Sequence, residues 1–66
     1  MKIGERIFEL RKERNLSQAQ LGNAIGVNAR AVSYWEQKVN EPKASYIFAL
    51  FKFFGVSADY LLGLED

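Results

Sequence analysis

Two segments of the chain carry apolar residues at intervals of three and four. They are Ile3, Ile7 and Leu10 in the first segment, and Ile47, Leu50, Phe51 and Phe54 in the second. A period of about 3.6 residues places each set on one face of a helix. We therefore predict helices over about 3–14 and 44–54. No polar segment alternates with apolar residues at a period of two, so no strand is predicted.

Three shorter helices are predicted from a repeated start signal. An apolar residue, a capping residue and a second apolar residue occur together at Leu16-Ser17 with Leu21, Val27-Asn28 with Val32, and Val56-Ser57 with Leu61. In such a hydrophobic staple, the capping side chain accepts a hydrogen bond from a backbone N–H at the helix start, and the apolar pair packs together. Gln20 completes a capping box with Ser17. The predicted helices cover about 18–25, 29–37 and 58–62.

The predicted helices also end at suitable residues. A glycine follows the last apolar residue of three of them, at Gly26, Gly55 and Gly63. Glycine adopts the left-handed conformation that ends many helices. Only three residues, 26–28, separate the second and third helices, so these two meet in a tight turn that leaves the third helix projecting. The predicted fold class is an all-α, compact five-helix bundle in one domain over 1–66, with a helix-turn-helix over about 18–37.

Composition excludes several classes of function. The chain has no Cys and no His, which removes disulfides, thiol nucleophiles, the usual zinc ligands and histidine general bases. We expect no enzyme activity, no cofactor, no metal and no small-molecule ligand. Residues 1–52 hold all nine Lys and Arg residues with five acids, whereas residues 53–66 hold three acids and no base. An anion-binding surface therefore belongs to the first part.

The chain carries no signal for a membrane. Its longest apolar run, 46–51, has six residues, far fewer than the roughly 20 that cross a bilayer. The first residues lack the apolar run of a signal peptide. We expect a cytoplasmic protein without a membrane partner.

A combination of motifs extends over nearly the whole chain. It consists of Leu16-Ser17-Gln18, Leu21, Ile25-Gly26-Val27, Val32-Ser33-Tyr34-Trp35-Glu36, Pro42, Phe54-Gly55-Val56-Ser57, Asp59 and Leu61-Leu62-Gly63. Together these residues resemble the helix-turn-helix repressors of the lambda, Cro and Xre type. The resemblance implies a transcriptional regulator, most simply a repressor, whose third helix enters the major groove of double-stranded DNA. It also implies a homodimer, at least on DNA, that binds the two halves of a palindromic operator.

The resemblance implies specific DNA contacts. Base contacts are expected from the outward positions of the third helix, which are Ala29, Arg30, Ser33 and Tyr34. Phosphate contacts are expected from Gln18, Asn28, Lys38, Asn40 and Lys43. Arg30 is the strongest candidate for a base contact, because its guanidinium matches the two acceptors of guanine. Each of these side chains could instead be an ordinary solvated surface group.

Other residues of the motif are expected to be structural. Val32 and Trp35 should turn inward, and Glu36 should pair with Arg11 or Arg14 of the first helix. Trp35 and Glu36 are therefore interpreted as parts of the folded framework and not as contacts to a ligand.

Several positions depart from the usual pattern of the family, among them Asn28, which replaces the commoner Ser or Thr and still suits the capping role. Gly22 stands where relatives usually have Ala, and Gly within a helix costs about 0.5–1 kcal/mol relative to Ala. Lys38 stands where a Gly often follows the third helix, so the left-handed turn should move to another residue such as Asn40 or be strained. Ala29 lacks the long polar side chain often found at this position, which predicts weaker discrimination between sequences.

The chain is rich in phenylalanine, with five residues. Phe54 is expected in the core. The other four either enlarge the core or form a self-association surface: Phe8, Phe48, Phe51 and Phe53. Phe8 and Phe48 are displaced from the apolar stripes and should be partly exposed. A second functional hypothesis follows, in which the chain is a protein-interaction or dimerisation module with weak or no DNA binding.

Overall fold

Five α-helices follow one another along the chain: α1 Ile3–Glu13, α2 Gln18–Ile25, α3 Ala29–Glu36, α4 Ala44–Phe54 and α5 Ala58–Leu61. They belong to a computed structural model that describes residues 2–65, among which no strand occurs. The all-α prediction with five helices is thus confirmed. Within the same residues, no helix is long and apolar enough to cross a membrane.

Three helices end one residue earlier than predicted. Arg14, Gln37 and Leu62 occupy the C-cap positions that follow α1, α3 and α5. The backbone N–H of each cap still donates to a carbonyl of its helix, for example from Gln37 to Ser33 at 2.9 Å. The predicted and observed helix ends therefore differ only by the C-cap residue, which lies half within the helix.

All three predicted capping residues make the expected hydrogen bonds. Ser17 Oγ accepts from the backbone N–H of Gln20 at 3.0 Å, and the Ser17 N–H donates to Gln20 Oε1 at 2.8 Å. The side chain of Asn28 accepts from Ala31 N–H at 2.9 Å. Ser57 accepts from Tyr60 N–H at 3.0 Å. The staple pattern therefore located the starts of α2, α3 and α5 correctly.

For the turn after α3 the sequence predicts either a left-handed residue elsewhere, such as Asn40, or strain at Lys38. The structure shows the second, because Lys38 itself adopts the left-handed conformation, with φ of 64°. Its N–H donates to Trp35 O at 3.2 Å, and Val39 N–H donates to Tyr34 O at 2.9 Å. This is the Schellman pattern of hydrogen bonds that usually uses glycine. A left-handed conformation costs a residue with Cβ roughly 1–2 kcal/mol, so the turn is strained.

The core receives side chains from all five helices. Its buried members are Ile3, Ile7, Leu10, Leu21, Val32, Trp35, Leu50, Phe54 and Leu61. The Trp35 ring also contacts the ring of Tyr46, with 5.8 Å between centroids, and so connects α3 to α4. The predictions that Val32 and Trp35 turn inward and that Phe54 lies in the core are confirmed.

Two glycines allow close approach between segments of backbone. A Cβ added at Gly22 would lie 2.5 Å from the carbonyl oxygen of Val27, in the turn that precedes α3. A Cβ at Gly4 would overlap the carbonyl oxygen of Trp35. Gly22 therefore has two opposite effects. It weakens α2 as a helix, and it allows α2 to pack on a turn that leaves no space for a side chain.

Candidate nucleic-acid interface

The helix α3 presents two different faces. Its inward face buries Val32 and Trp35 in the core. On the opposite side, Arg30 is exposed and Tyr34 is 39% exposed, while Ala29 and Ser33 are half-buried. Arg30 makes no hydrogen bond or ion pair with any other residue in the range 2–65. The outward placement predicted for the third helix is therefore present for its two largest polar side chains.

A surface groove of about 710 Å³ lies beside α3 and is lined by five of the nine predicted contact residues. They are Asn28, Arg30, Tyr34, Asn40 and Lys43. Sequence reasoning missed two further polar residues of the groove, Glu41 and Tyr46. Glu41 could have been found from its place beside Asn40, a predicted contact residue. Tyr46 belongs to α4 and lines the groove next to Trp35, whose ring it contacts.

Asn28 and Ser33 each use a polar group in local structure. The Asn28 Oδ1 atom accepts the capping hydrogen bond from Ala31, which leaves the amide Nδ2 as the donor that a phosphate could accept from. The Ser33 hydroxyl accepts a hydrogen bond from Gln37 Nε2 at 2.6 Å. The Ser33 hydroxyl keeps its own proton and a second lone pair, so it can contact a base while it accepts from Gln37.

Gln18 lies apart from the groove, in a cleft between the end of α1 and the start of α2. We call this the α1–α2 cleft; its volume is about 600 Å³, and its lining is Arg11, Lys12, Asn15, Leu16, Ser17, Gln18 and Gln20. Gln18 Nε2 donates one hydrogen bond to Glu36 Oε1 at 3.1 Å. An amide nitrogen carries two N–H donors, so the second one is available for an anionic oxygen.

Glu36 pairs with Arg11, one of the two partners expected. Arg11 Nε donates to Glu36 Oε2 at 2.7 Å, and Nη2 donates to Glu36 Oε1 at 3.0 Å. The two side chains are only 9% and 7% exposed. The hydrogen bond to Glu36 raises the pKa of Arg11, although burial opposes the change. This buried, two-point ion pair joins α1 to the end of α3.

Arg14, the other expected partner, turns elsewhere. Its guanidinium donates to the backbone carbonyls of Phe53 and Phe54, the latter at 2.5 Å. These carbonyls belong to the last turn of α4, where a cation is favoured by the helix dipole. The hydrogen bonds of Arg14 therefore connect the end of α1 to the end of α4, and Arg14 takes no part in the Glu36 pair.

Lys38 is placed outside both the groove and the α1–α2 cleft. Its ammonium donates to Glu5 Oε1 at 2.9 Å, and both side chains are more than half exposed. The hydrogen bond and charge of Lys38 lower the pKa of Glu5, so the pair persists at neutral pH and weakens in acid as Glu5 becomes protonated. A phosphate contact from Lys38 stays a prediction, and it would require this exposed pair to exchange its partner.

The four remaining phenylalanines have different environments. Phe8, Phe48 and Phe53 are 47%, 56% and 38% exposed, whereas Phe51 packs partly against the core. Phe48 and Phe51 meet edge to face, with 5.2 Å between ring centroids, but the Phe8 ring faces the cations Arg11 and Lys12. Partial exposure of Phe8 and Phe48 is confirmed, and their role in self-association stays a prediction.

Comparison with known proteins places the chain in a family. A model of the helix-turn-helix family matches residues 7–61, which include the lining of both recesses and all nine predicted contact residues. The chain belongs to this family, and its five-helix fold is that of the lambda, Cro and Xre type.

Two curated relatives and one solved structure are similar to the chain. Repressor protein C2 of Salmonella phage P22 is 43% identical over 60 residues, which cover 91% of this chain and 28% of the relative. The transcriptional activator BcrR of Enterococcus faecalis is 35% identical over 66 residues, or 100% of this chain and 32% of BcrR. A crystal structure of the P22 c2 repressor in complex with a synthetic operator matches with a TM-score of 0.84 and 42% identity, over 89% of each chain. This chain thus spans about a third or less of the length of these two relatives, both of which are transcriptional regulators.

Proposed function

We propose that the chain binds double-stranded DNA as a transcriptional regulator, most simply a repressor, with α3 in the major groove. The observation that carries the proposal is the two-faced α3, which buries Val32 and Trp35 and turns Arg30 and Tyr34 outward. Family membership and the similarity to a repressor in complex with its operator support it. The proposed function involves no catalytic step, and DNA as the ligand agrees with a cytoplasmic location.

Base recognition is assigned to the outward residues of α3. A major groove about 12 Å wide accepts one α-helix. The Arg30 guanidinium can donate two parallel hydrogen bonds to guanine O6 and N7, whereas Ala29 offers only a methyl contact to thymine. Tyr34 can donate or accept through its hydroxyl. We expect Arg30 to supply most of the discrimination, because its exposed guanidinium can donate both hydrogen bonds at once.

Phosphate contacts are assigned to both recesses beside the helix-turn-helix. Lys43, Asn40 and the free amide of Asn28 surround the groove along α3, and Gln18 lies in the α1–α2 cleft. Such contacts orient a protein on the duplex and supply much of its affinity, while they carry little sequence information. Glu41 in the groove opposes them through its negative charge.

The proposed DNA complex contains two copies of the chain on a palindromic operator, since two-fold symmetric proteins of this class bind two half-sites.

A second candidate function is a protein-interaction or dimerisation module with weak or no DNA binding. The high exposure of Phe48 and Phe8 favours that alternative, because exposed aromatic rings often mark interaction sites. Sedimentation of the free protein, beside an electrophoretic shift with random duplex, distinguishes the two.

Salt dependence tests the proposed function directly. We expect affinity for duplex DNA to fall as salt rises, with a slope of log affinity against log salt of about −0.9 for each phosphate that the protein neutralises. Fluorescence anisotropy with a labelled duplex over a salt series measures this slope. A protein that does not bind random duplex at low salt, or whose affinity is independent of salt, would contradict the proposal.

Replacement of Arg30 by alanine tests the assignment of base recognition. We expect Arg30→Ala to reduce the preference for the selected operator over scrambled DNA by about 1–3 kcal/mol, because the guanine acceptors lose their donors. The matched control is Lys43→Ala, which should weaken binding to both sequences equally. Competition binding with the two duplexes measures the preference. An unchanged preference in Arg30→Ala would show that another residue recognises the bases.

A further inference from the structure

The helix α1 and its C-cap residue Arg14 together hold four cations, and three of them are engaged in contacts within the domain. The Arg6 guanidinium lies 4.5 Å from the centroid of the Tyr60 ring and donates to the carbonyl of Glu65. Arg11 pairs with the buried Glu36. Arg14 donates to carbonyls at the end of α4. Structural contacts therefore account for the orientation of these three side chains.

Lys12 is the exception among the four. Its side chain is exposed, and its ammonium makes no hydrogen bond or ion pair within residues 2–65. The ammonium lies near the ring of Phe8, whose centroid is 6.0 Å from Nζ. At this distance the cation–π attraction between the ring and the ammonium is weak, so the charge of Lys12 is available to pair with an anion.

Lys12 lies in the same cleft as Gln18, for which a phosphate contact is predicted. Both residues line the α1–α2 cleft, and no Asp or Glu is among the residues that line it. Because Glu36 neutralises Arg11, Lys12 supplies the net charge of this cleft. The groove beside α3 differs in this respect, since Glu41 is part of its lining.

The walls of the α1–α2 cleft are held by several bonds. Leu16 N–H donates to the Arg11 carbonyl at 3.0 Å, and Arg11 Nη1 donates in return to the Leu16 carbonyl at 2.9 Å. Gln18 is oriented by its bond to Glu36. The amide donor of the cleft is thus preorganised, and an anion that enters meets a fixed amide and one exposed ammonium.

From these observations we infer that Lys12 is a further DNA-binding residue, which contacts the same backbone phosphate as Gln18 or the adjacent one. The inference rests on the proposed function and extends it to α1. An ammonium and an amide N–H are the donor types that bind a phosphodiester. Lys12 is not among the residues whose contacts the sequence pattern implied, because it belongs to α1 and precedes the helix-turn-helix.

The test compares Lys12→Gln with Lys52→Gln. Lys52 is a matched control, because it is also an exposed lysine beside an aromatic ring, 5.4 Å from the centroid of Phe48, and lines neither recess. We expect Lys12→Gln to make the salt slope shallower by about 0.9 for both operator and random duplex. The advantage of the original chain over the variant should then shrink about threefold between roughly 50 and 200 mM salt. Lys52→Gln should leave the slope unchanged, and Lys12→Arg should retain it.

Each other outcome counts against the inference. An unchanged slope in Lys12→Gln, or an equal decrease in Lys52→Gln, overturns it while the salt-dependent binding of the original chain still supports the proposed function. No binding by the original chain overturns both. Saturable binding of inorganic phosphate to the α1–α2 cleft, with an unchanged DNA slope in Lys12→Gln, would assign the cleft to free phosphate instead. Thermal unfolding of each variant verifies that it is folded.

Discussion

Replacing Glu36 by alanine is expected to destabilise the domain by about 3–5 kcal/mol, because it leaves the buried Arg11 guanidinium without its counter-charge. Arg11 would lose two hydrogen bonds to the carboxylate, at 2.7 and 3.0 Å, and would keep only the bond to the Leu16 carbonyl. Arginine cannot lose its proton to escape this cost. Urea denaturation followed by circular dichroism measures the change in the free energy of unfolding.

The size of this effect matters because small domains have little stability to lose. A chain of this length has a total free energy of unfolding of roughly 3–10 kcal/mol, so the loss expected from Glu36→Ala is a large fraction of the whole. The control is the double replacement Arg11→Met with Glu36→Leu, which removes both charges and should cost less than Glu36→Ala alone. If Glu36→Ala unfolds at the same urea concentration as the original chain, the pair contributes little and the explanation fails.

The second large effect is expected from Gly22→Ala, and here the expected sign is opposite to that from helix propensity. Propensity alone predicts that alanine within α2 stabilises the domain by about 0.5–1 kcal/mol. The added Cβ, however, would lie 2.5 Å from Val27 O and 3.2 Å from the carbonyl carbon of Asn28. Both are backbone atoms, so relief requires α2 to move away from the turn. We expect a net loss of about 1–3 kcal/mol, measured by thermal unfolding.

An exposed position of the same helix provides the control for Gly22→Ala. Asn23 is the next residue and points to solvent, so Asn23→Ala should gain a few tenths of a kcal/mol from helix propensity without a new contact. A rise in melting temperature for both variants would show that the turn shifts enough to accommodate the extra methyl group, and it would contradict the expected loss of stability. We further expect Gly22→Ala to weaken DNA binding, since the same turn sets the direction in which α3 leaves α2.

Much of the fold was predictable because the relevant interactions are local. Each cap at Ser17, Asn28 and Ser57 bonds to an N–H three residues away, so a short window of sequence contains both partners. The same is true of the glycine that ends α2, whose N–H donates to Gly22 O. The resemblance to the family likewise placed Val32 and Trp35 inward and Arg30 and Tyr34 outward, as the structure shows.

The candidate site was predictable only in part. Five of the predicted contact residues line one groove, because they come from the short segment that includes α3 and the loop after it. Lys38 is instead bonded to Glu5, which precedes it by 33 residues, and nothing in the pattern of either segment indicates that pair. The proposed role of Lys12 was not predictable for a similar reason, since the cations around it are engaged by groups far away in the chain, as Arg11 is by Glu36 and Arg14 by Phe54.

The order of residues thus specified where each helix starts and stops and which face it buries, because hydrogen bonds and apolar stripes within a few residues decide those features. It did not specify which arginine pairs with Glu36, which residue after α3 becomes left-handed, or why residue 22 has no side chain. Those outcomes depend on distances between segments far apart in the chain. Such distances exist only after the five helices have packed around one core.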